Sequence, residues 1–194
     1  MRRRLVDRIE VRPLVGDRAR GRLTVGGATF RCALGPAGIV SRKREGDGAT
    51  PRAELAVRRI WRRADKAPRP PAGVEVRPIR RDDGWCDAAG HRRYNRLVRL
   101  PFSASHEQMW RADRLYDLVG ELGWNARPAV SGRGSAIFLH VARPGFTPTQ
   151  GCVALAPGPL ARVLAMIGPN TRLSIGRAPR KLRRRRGPGG AVSI

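Results

Sequence analysis

The chain has 194 residues, enough for one domain with a full core and too few for two sizeable ones, and carries 40 Lys+Arg against 15 Asp+Glu, a net charge of +25. No apolar run reaches the roughly 18 residues of a membrane-spanning helix, and three cysteines cannot form a small-domain disulfide framework, so at least one thiol is free in a monomer. The charge would suit a polyanion, yet the basic residues are spread along the chain and only three of the 40 are lysine; with aromatics at 5%, a base-stacking surface for nucleic acid is not expected.

The basic start Met1-Arg2-Arg3-Arg4 meets Asp7, Arg8 and Glu10 before any apolar stretch of signal-peptide length, so no signal peptide is expected. Leu5 to Val11 and Gly21 to Leu34 are predicted as strands, the latter folding back at Gly26-Gly27 with Val25, Thr29 and Phe30 as β formers. Gly35-Pro36 ends this unit, and Ser41 to Gly48 is a loop by composition. Ala53 to Trp61 alternates only slightly better as a strand than as a helix. Arg69-Pro70-Pro71-Ala72-Gly73 is a break, and Val74 to Arg80 a short strand leading into a turn at Asp82-Asp83-Gly84-Trp85. Ser105 with Gln108 three residues on predicts a capping box opening one or two helical turns through Met109 and Trp110. Leu115 to Trp124 is ambiguous by period.

Ala136 to Leu139 predicts a buried strand ending at His140, with a loop from Arg143-Pro144-Gly145 and a return to apolar sequence at Val153-Ala154-Leu155. Pro159 to Ile167 is the clearest helix, with Leu160, Val163, Leu164 and Ile167 at helical spacing and Gly168-Pro169 as its stop. Thr171 to Ile175 returns as a strand. After Gly176 the chain carries seven of its basic residues, no acids and many Gly and Pro, and is predicted to be disordered. Many short strands and one or two short helices predict a mainly β domain.

Thr149-Gln150-Gly151-Cys152 is the chemically informative stretch. A glycine before the cysteine lets backbone approach a substrate carbonyl, amides at Gly151 and Cys152 could meet a developing oxyanion, and His140 is the candidate base that would activate the thiol. The residues alone also fit a small buried cysteine and a satisfied core histidine. A carboxylate or a backbone carbonyl would serve equally to orient His140. Asp82, Asp83 and Asp87 around Trp85 either present carboxylates and an aromatic wall to a substrate or form a polar turn on a buried tryptophan. Thr149, Gln150, Trp85 and Asp83 are the substrate-binding candidates. Cys86, His91 and His106 lack paired ligand spacing, so no metal is expected, and a Cys32–Cys86 disulfide is left open.

The pattern His140, Thr149, Gly151, Cys152, Val153 resembles the catalytic motif of the L,D-transpeptidase catalytic domain family, a histidine followed after a loop by Ser/Thr-x-Gly-Cys and an apolar residue. Asp47-Gly48-Ala49-Thr50-Pro51 is similar to that family's acidic-Gly then Thr-Pro element, and Asp82 to Asp87 to a segment of one of its branches. Gln150 stands where many members carry histidine, Ala154 where they carry Asn or Arg, and Ala53 where glycine often follows; the His-to-Cys loop is also shorter than usual. The resemblance implies a β-sandwich-like catalytic domain over 20–176, leaving 1–19 as an N-terminal extension and 177–194 as a basic tail. It implies a strand over Leu115 to Trp124. It also implies a cysteine acyltransferase that needs no cofactor, acts on peptidoglycan stem peptides in the periplasm or cell wall, forms 3-3 cross-links through a thioester on Cys152, and is acylated by carbapenem-type inhibitors. L,D-carboxypeptidase action, attachment of a protein to peptidoglycan, and a non-catalytic basic polymer-binding domain are the alternatives.

Overall fold

Two consecutive glycines set the second hairpin. In the computed structural model, which describes residues 5–176, β1 (Val6–Leu14) is followed by β2 (Asp17–Val25) and β3 (Ala28–Ala33). Gly26 and Gly27 between them take φ of +53° and +83°, the two positive values that a tight two-residue hairpin turn needs. The chain continues through β4 (Ile39–Val40), β5 (Thr50–Pro51), β6 (Ala53–Arg62), β7 (Val76–Pro78), β8 (Asp83–Cys86), β9 (Arg96–Arg99) and β10 (His106–Gln108). It ends with β11 (Leu118–Leu122), β12 (Phe138–Val141), β13 (Val153–Leu155), α1 (Pro157–Ala165) and β14 (Ile167–Ile175). A single 3-10 turn, Pro144–Phe146, lies in the loop after β12.

The main sheet runs β11-β12-β13-β3-β2-β1-β14-β6-β7, and β11 also pairs with β6. That second pairing closes the sheet into a barrel-like layer with β7 as a flap beside β6, which removes most of the open edge. The closed layer has an apolar inner face: Ile9, Val11, Leu23, Val25, Leu139, Val153, Leu173 and Ile175 are all buried there. α1 completes it with Leu160, Val163 and Leu164, each fully buried, and each such side chain contributes about 1.5–3 kcal/mol of apolar burial. The small sheet β10-β8-β9 packs on the outside of β11, β12 and β6 over a second cluster containing Trp61, Trp85, Met109, Tyr116, Val119 and Phe138.

This layering explains where sequence expectation and structure differ. Leu115 to Trp124 is ambiguous by period because β11 is buried on both faces, Leu118 and Leu122 inward and Val119 outward. β6 alternates poorly because its register with β11 shifts between Glu121 and Leu122, so Val57 and Ile60 both point inward while Arg59 pairs with Glu121. The helix expected after Ser105 is instead strand β10, in which His106, Glu107 and Gln108 pair antiparallel with Cys86, Trp85 and Gly84; sheet pairing overrides the local capping pattern. The expected turn at Asp82 to Trp85 is likewise mostly strand β8. β1, assigned to an N-terminal extension from the sequence, lies between β2 and β14 with Ile9 and Val11 fully buried. Cys32 and Cys86 are free buried thiols and form no disulfide. The tail 177–194 lies outside the described residues, among which no helix is long and apolar enough to cross a membrane.

Candidate active site

Strand register brings the cysteine and the histidine to one face. β12 and β13 are parallel neighbours with Leu139 opposite Val153 and His140 opposite Ala154. Cys152, one residue before β13, therefore falls beside Phe138, and side chains two apart along a strand share a face. Leu139 and Val153 turn inward to the main core, whereas Phe138 and Cys152 face the outer cluster, as does His140.

The loop before Cys152 is pinned from several sides. The Thr149 N–H donates to the Leu34 carbonyl (2.9 Å), its Oγ1 donates to the Cys152 carbonyl (2.8 Å), and the same Oγ1 accepts from the Gly151 N–H (3.2 Å). The Gly151 amide is thus engaged by Thr149, and the Cys152 N–H finds no acceptor among the described residues. Gly151 has φ of +121°, and a Cβ there would stand 2.5 Å from the Ala49 carbonyl oxygen. Ala49 is held in turn by Asp47, whose Oδ1 accepts from the Ala49 N–H (2.8 Å) and from Lys43 Nζ (2.6 Å), so the Asp47 to Pro51 element buttresses the cysteine loop. Gly151→Ala is expected to cost about 1–3 kcal/mol from backbone strain alone, checked as a lower urea midpoint, and to displace the thiol as the loop yields.

The Cys152 Sγ is itself bonded to backbone on both sides. It donates to the Ala136 carbonyl (3.1 Å) and accepts from the Phe138 N–H (3.3 Å). Burial, reinforced by the negative charge of Glu107, pushes the thiol up to about 12. His140 is buried, and burial pulls its imidazole down to about 4. Its Nδ1 lies 2.8 Å from the Val141 carbonyl; a carbonyl only accepts, so Nδ1 carries the proton and Nε2 keeps its lone pair. A backbone carbonyl, not a carboxylate, orients the ring. Both shifts favour the neutral forms, a thiol and an uncharged imidazole on one cavity wall.

Cys152 and His140 line a cavity of about 680 Å³ together with Thr149, Gln150, Glu107 and Arg111. Tyr116 stacks edge-on against His140, centroids 5.4 Å apart, and its hydroxyl donates to Glu107 Oε1 (2.6 Å). Burial raises the Glu107 carboxyl above its ordinary value, against the pull of the Tyr116 hydrogen bond and of Arg111. Arg111 bridges Glu107 (3.5 Å) and Asp113 (2.5 Å), and Arg143 approaches Asp113 at 3.8 Å. A neighbouring, more apolar cavity of about 800 Å³ shares Leu115, Arg143 and Thr147 with the first.

Of the substrate-binding candidates, Thr149 and Gln150 line the cysteine cavity, while Trp85 and Asp83 are not among its lining residues. Trp85 is buried edge-on against Phe138 (5.1 Å) with its Nε1–H on Asn95 Oδ1 (3.0 Å). Asp83 is buried, ion-paired with Arg99, and accepts from the Arg80 N–H (2.7 Å). Both side chains belong to strand β8 and have their polar atoms engaged within the fold. Asn95 is a positioning residue: its Oδ1 also accepts from the Ala136 N–H (3.1 Å) and its Nδ2 donates to the Trp124 and Asn125 carbonyls. It thereby fixes Ala136, whose φ of +51° aims the carbonyl that holds the thiol. A positive φ at an alanine leaves no trace in sequence, and Glu107, Arg111, Tyr116 and Arg143 gather only through the fold.

The family model of the L,D-transpeptidase catalytic domain matches residues 15–175. No curated protein and no solved structure matches the chain. With most of its length matched, from the end of β1 through β14, the chain belongs to the L,D-transpeptidase catalytic domain family.

Proposed function

We propose that the protein is a cysteine acyltransferase acting on peptidoglycan stem peptides outside the cytoplasm, in the periplasm or cell wall. The observation that carries this reading is the buried Cys152 thiol and the Nε2-basic His140 on one wall of a single cavity, in a chain of this family. His140 Nε2 takes the thiol proton as Sγ attacks the carbonyl of the third stem residue. The Phe138 N–H that already touches Sγ stabilises the forming thiolate, and the Cys152 N–H serves as the oxyanion donor. Collapse breaks the C–N bond, His140 returns the proton to the departing D-alanine amine, and a thioester remains on Cys152.

An amine of a second stem then attacks the thioester and gives a 3-3 cross-link, with its proton passing to His140 and back to Sγ. Gln150 and Thr149 border the thiol on this route. The cavity's Arg111 and Arg143 complement substrate carboxylates, and Glu45, Asp87 and Glu107 complement its ammonium groups. The adjoining apolar cavity offers the second stem a place beside the thioester.

Intact-protein mass spectrometry after incubation with a disaccharide tetrapeptide, with a carbapenem in parallel, tests the reading. One adduct per chain, located on the Cys152 peptide, is expected. Adducts on Cys32 or Cys86 instead, or none on the folded protein, would overturn it. Product analysis then separates cross-linking from hydrolysis by water.

A further inference from the structure

Behind the catalytic wall, the strand bulge in β6 builds a second site. Arg58 and Arg59 flank Glu121 on β11, each with Nε 3.4 Å from one of its carboxylate oxygens, and Trp61 Nε1–H donates to the same group at 3.0 Å. Glu121 is only 7% exposed, so this one carboxylate is fully committed. The three groups open onto a cleft of about 210 Å³ whose rim carries Arg93, Arg96 and Arg127. Its lining shares no residue with that of the cysteine cavity.

The charge in this cleft is not balanced by the protein. Five guanidiniums line it against one carboxylate. Arg93, Arg96 and Arg127 have no carboxylate within ion-pair reach among the described residues, unlike Arg63, Arg77, Arg99 and Arg111, which do. Arg59 Nε is buried without an aligned hydrogen-bond acceptor, although Glu121 (3.4 Å) and Glu75 (3.8 Å) are near. A buried, unsatisfied charged donor beside a cavity is costly unless an acceptor enters.

We infer that this cleft binds a multiply charged phosphate group carried on a non-aromatic scaffold, such as a sugar phosphate or a lipid headgroup. Guanidinium forks match phosphate oxygens two at a time, and several of them converging favour a group with more than one negative charge. The volume suits a phosphate or diphosphate. Nucleic acid fits less well, because Trp61 and Trp85 are buried at 2% and 6% exposure, which leaves half-buried Trp124 as the one tryptophan of the lining that a base can meet, too few for a stacking platform. Binding here would tether the domain to a phosphate-bearing surface while the cysteine cavity stays open, and it stands independently of the proposed acyl transfer.

Calorimetric titration of the whole chain with sodium pyrophosphate tests the site. Wild type and the variant Arg22→Glu with Arg42→Glu, which removes two exposed arginines elsewhere, are expected to bind one equivalent, more weakly as salt rises. Arg93→Glu with Arg127→Glu should bind at least tenfold more weakly while its thiol is still acylated; Arg93→Gln with Arg127→Gln gives the same loss if charge reversal disturbs folding. Equal weakening in the Arg22/Arg42 control, no binding by wild type, or tighter binding of oligothymidylate at the same site would each overturn the proposal. Competition by glucose 1-phosphate or by phosphatidylglycerol vesicles distinguishes a soluble sugar phosphate from a lipid headgroup, and competition by neither overturns it.

Discussion

Cys152→Ala and His140→Ala are each expected to slow acyl transfer by at least about 10⁴-fold, and the double variant to be no slower than either single one. The reason is the protonation state of the pair. With the thiol held near 12 by burial, only roughly one molecule in 10⁵ carries a free thiolate at pH 7. Attack must therefore move the proton to His140 Nε2 in the same step, and neither residue is useful without the other. The His140→Ala chain should regain about tenfold in kcat/KM per pH unit as hydroxide supplies the thiolate, whereas the wild type should not. Multiplicative losses in the double variant, or a pH-independent His140→Ala enzyme, would show that the thiol is ionised in some other way.

The second large effect is on stability in acid. An imidazole ordinarily near 6.5 that burial holds at about 4 binds its proton in the unfolded chain before it does in the folded one. The contribution is present in full above pH 6.5 and is lost as pH falls through the folded value, a change of about 3 kcal/mol over that window. Urea midpoints taken from pH 7 to 4.5 should fall steeply for wild type and much less for His140→Gln. Asp47 and Asp113, held below the ordinary carboxylate value despite the cost of their burial, stay ionised across this range. Glu107 acts in the opposite sense, since protonation relieves its buried charge, which further flattens the His140→Gln slope. An unchanged slope would mean that His140 is solvated in the native state.

Several elements were legible because local chemistry and tertiary context agree. Gly26-Gly27 can hardly be anything but a tight turn, and Leu160, Val163 and Leu164 bury one helical face whether read from spacing or from the fold. Reading failed where the two disagree. His106 to Gln108 carries a capping signature, yet it pairs with β8 and sends Glu107 to the cysteine cavity. Trp85 and Asp83 look like a binding wall, but their polar atoms are spent on Asn95, Arg99 and the Arg80 amide.

The sequence by itself determined the mainly β architecture and the late helix, and it singled out the two candidate side chains, because a thiol, an imidazole and a preceding glycine are properties of residue type and order. Only the tertiary structure decided what those side chains are. Burial keeps thiol and imidazole neutral, the parallel register of β12 and β13 puts them on one face, and a positive φ at Ala136 aims the carbonyl that accepts the hydrogen bond of the thiol. The arginine excess is equally visible in composition, but its concentration around Glu121 depends on one bulge in β6. Solvation, register and backbone aim depend on residues far apart in the chain, which is why they become readable only once the sheet has closed.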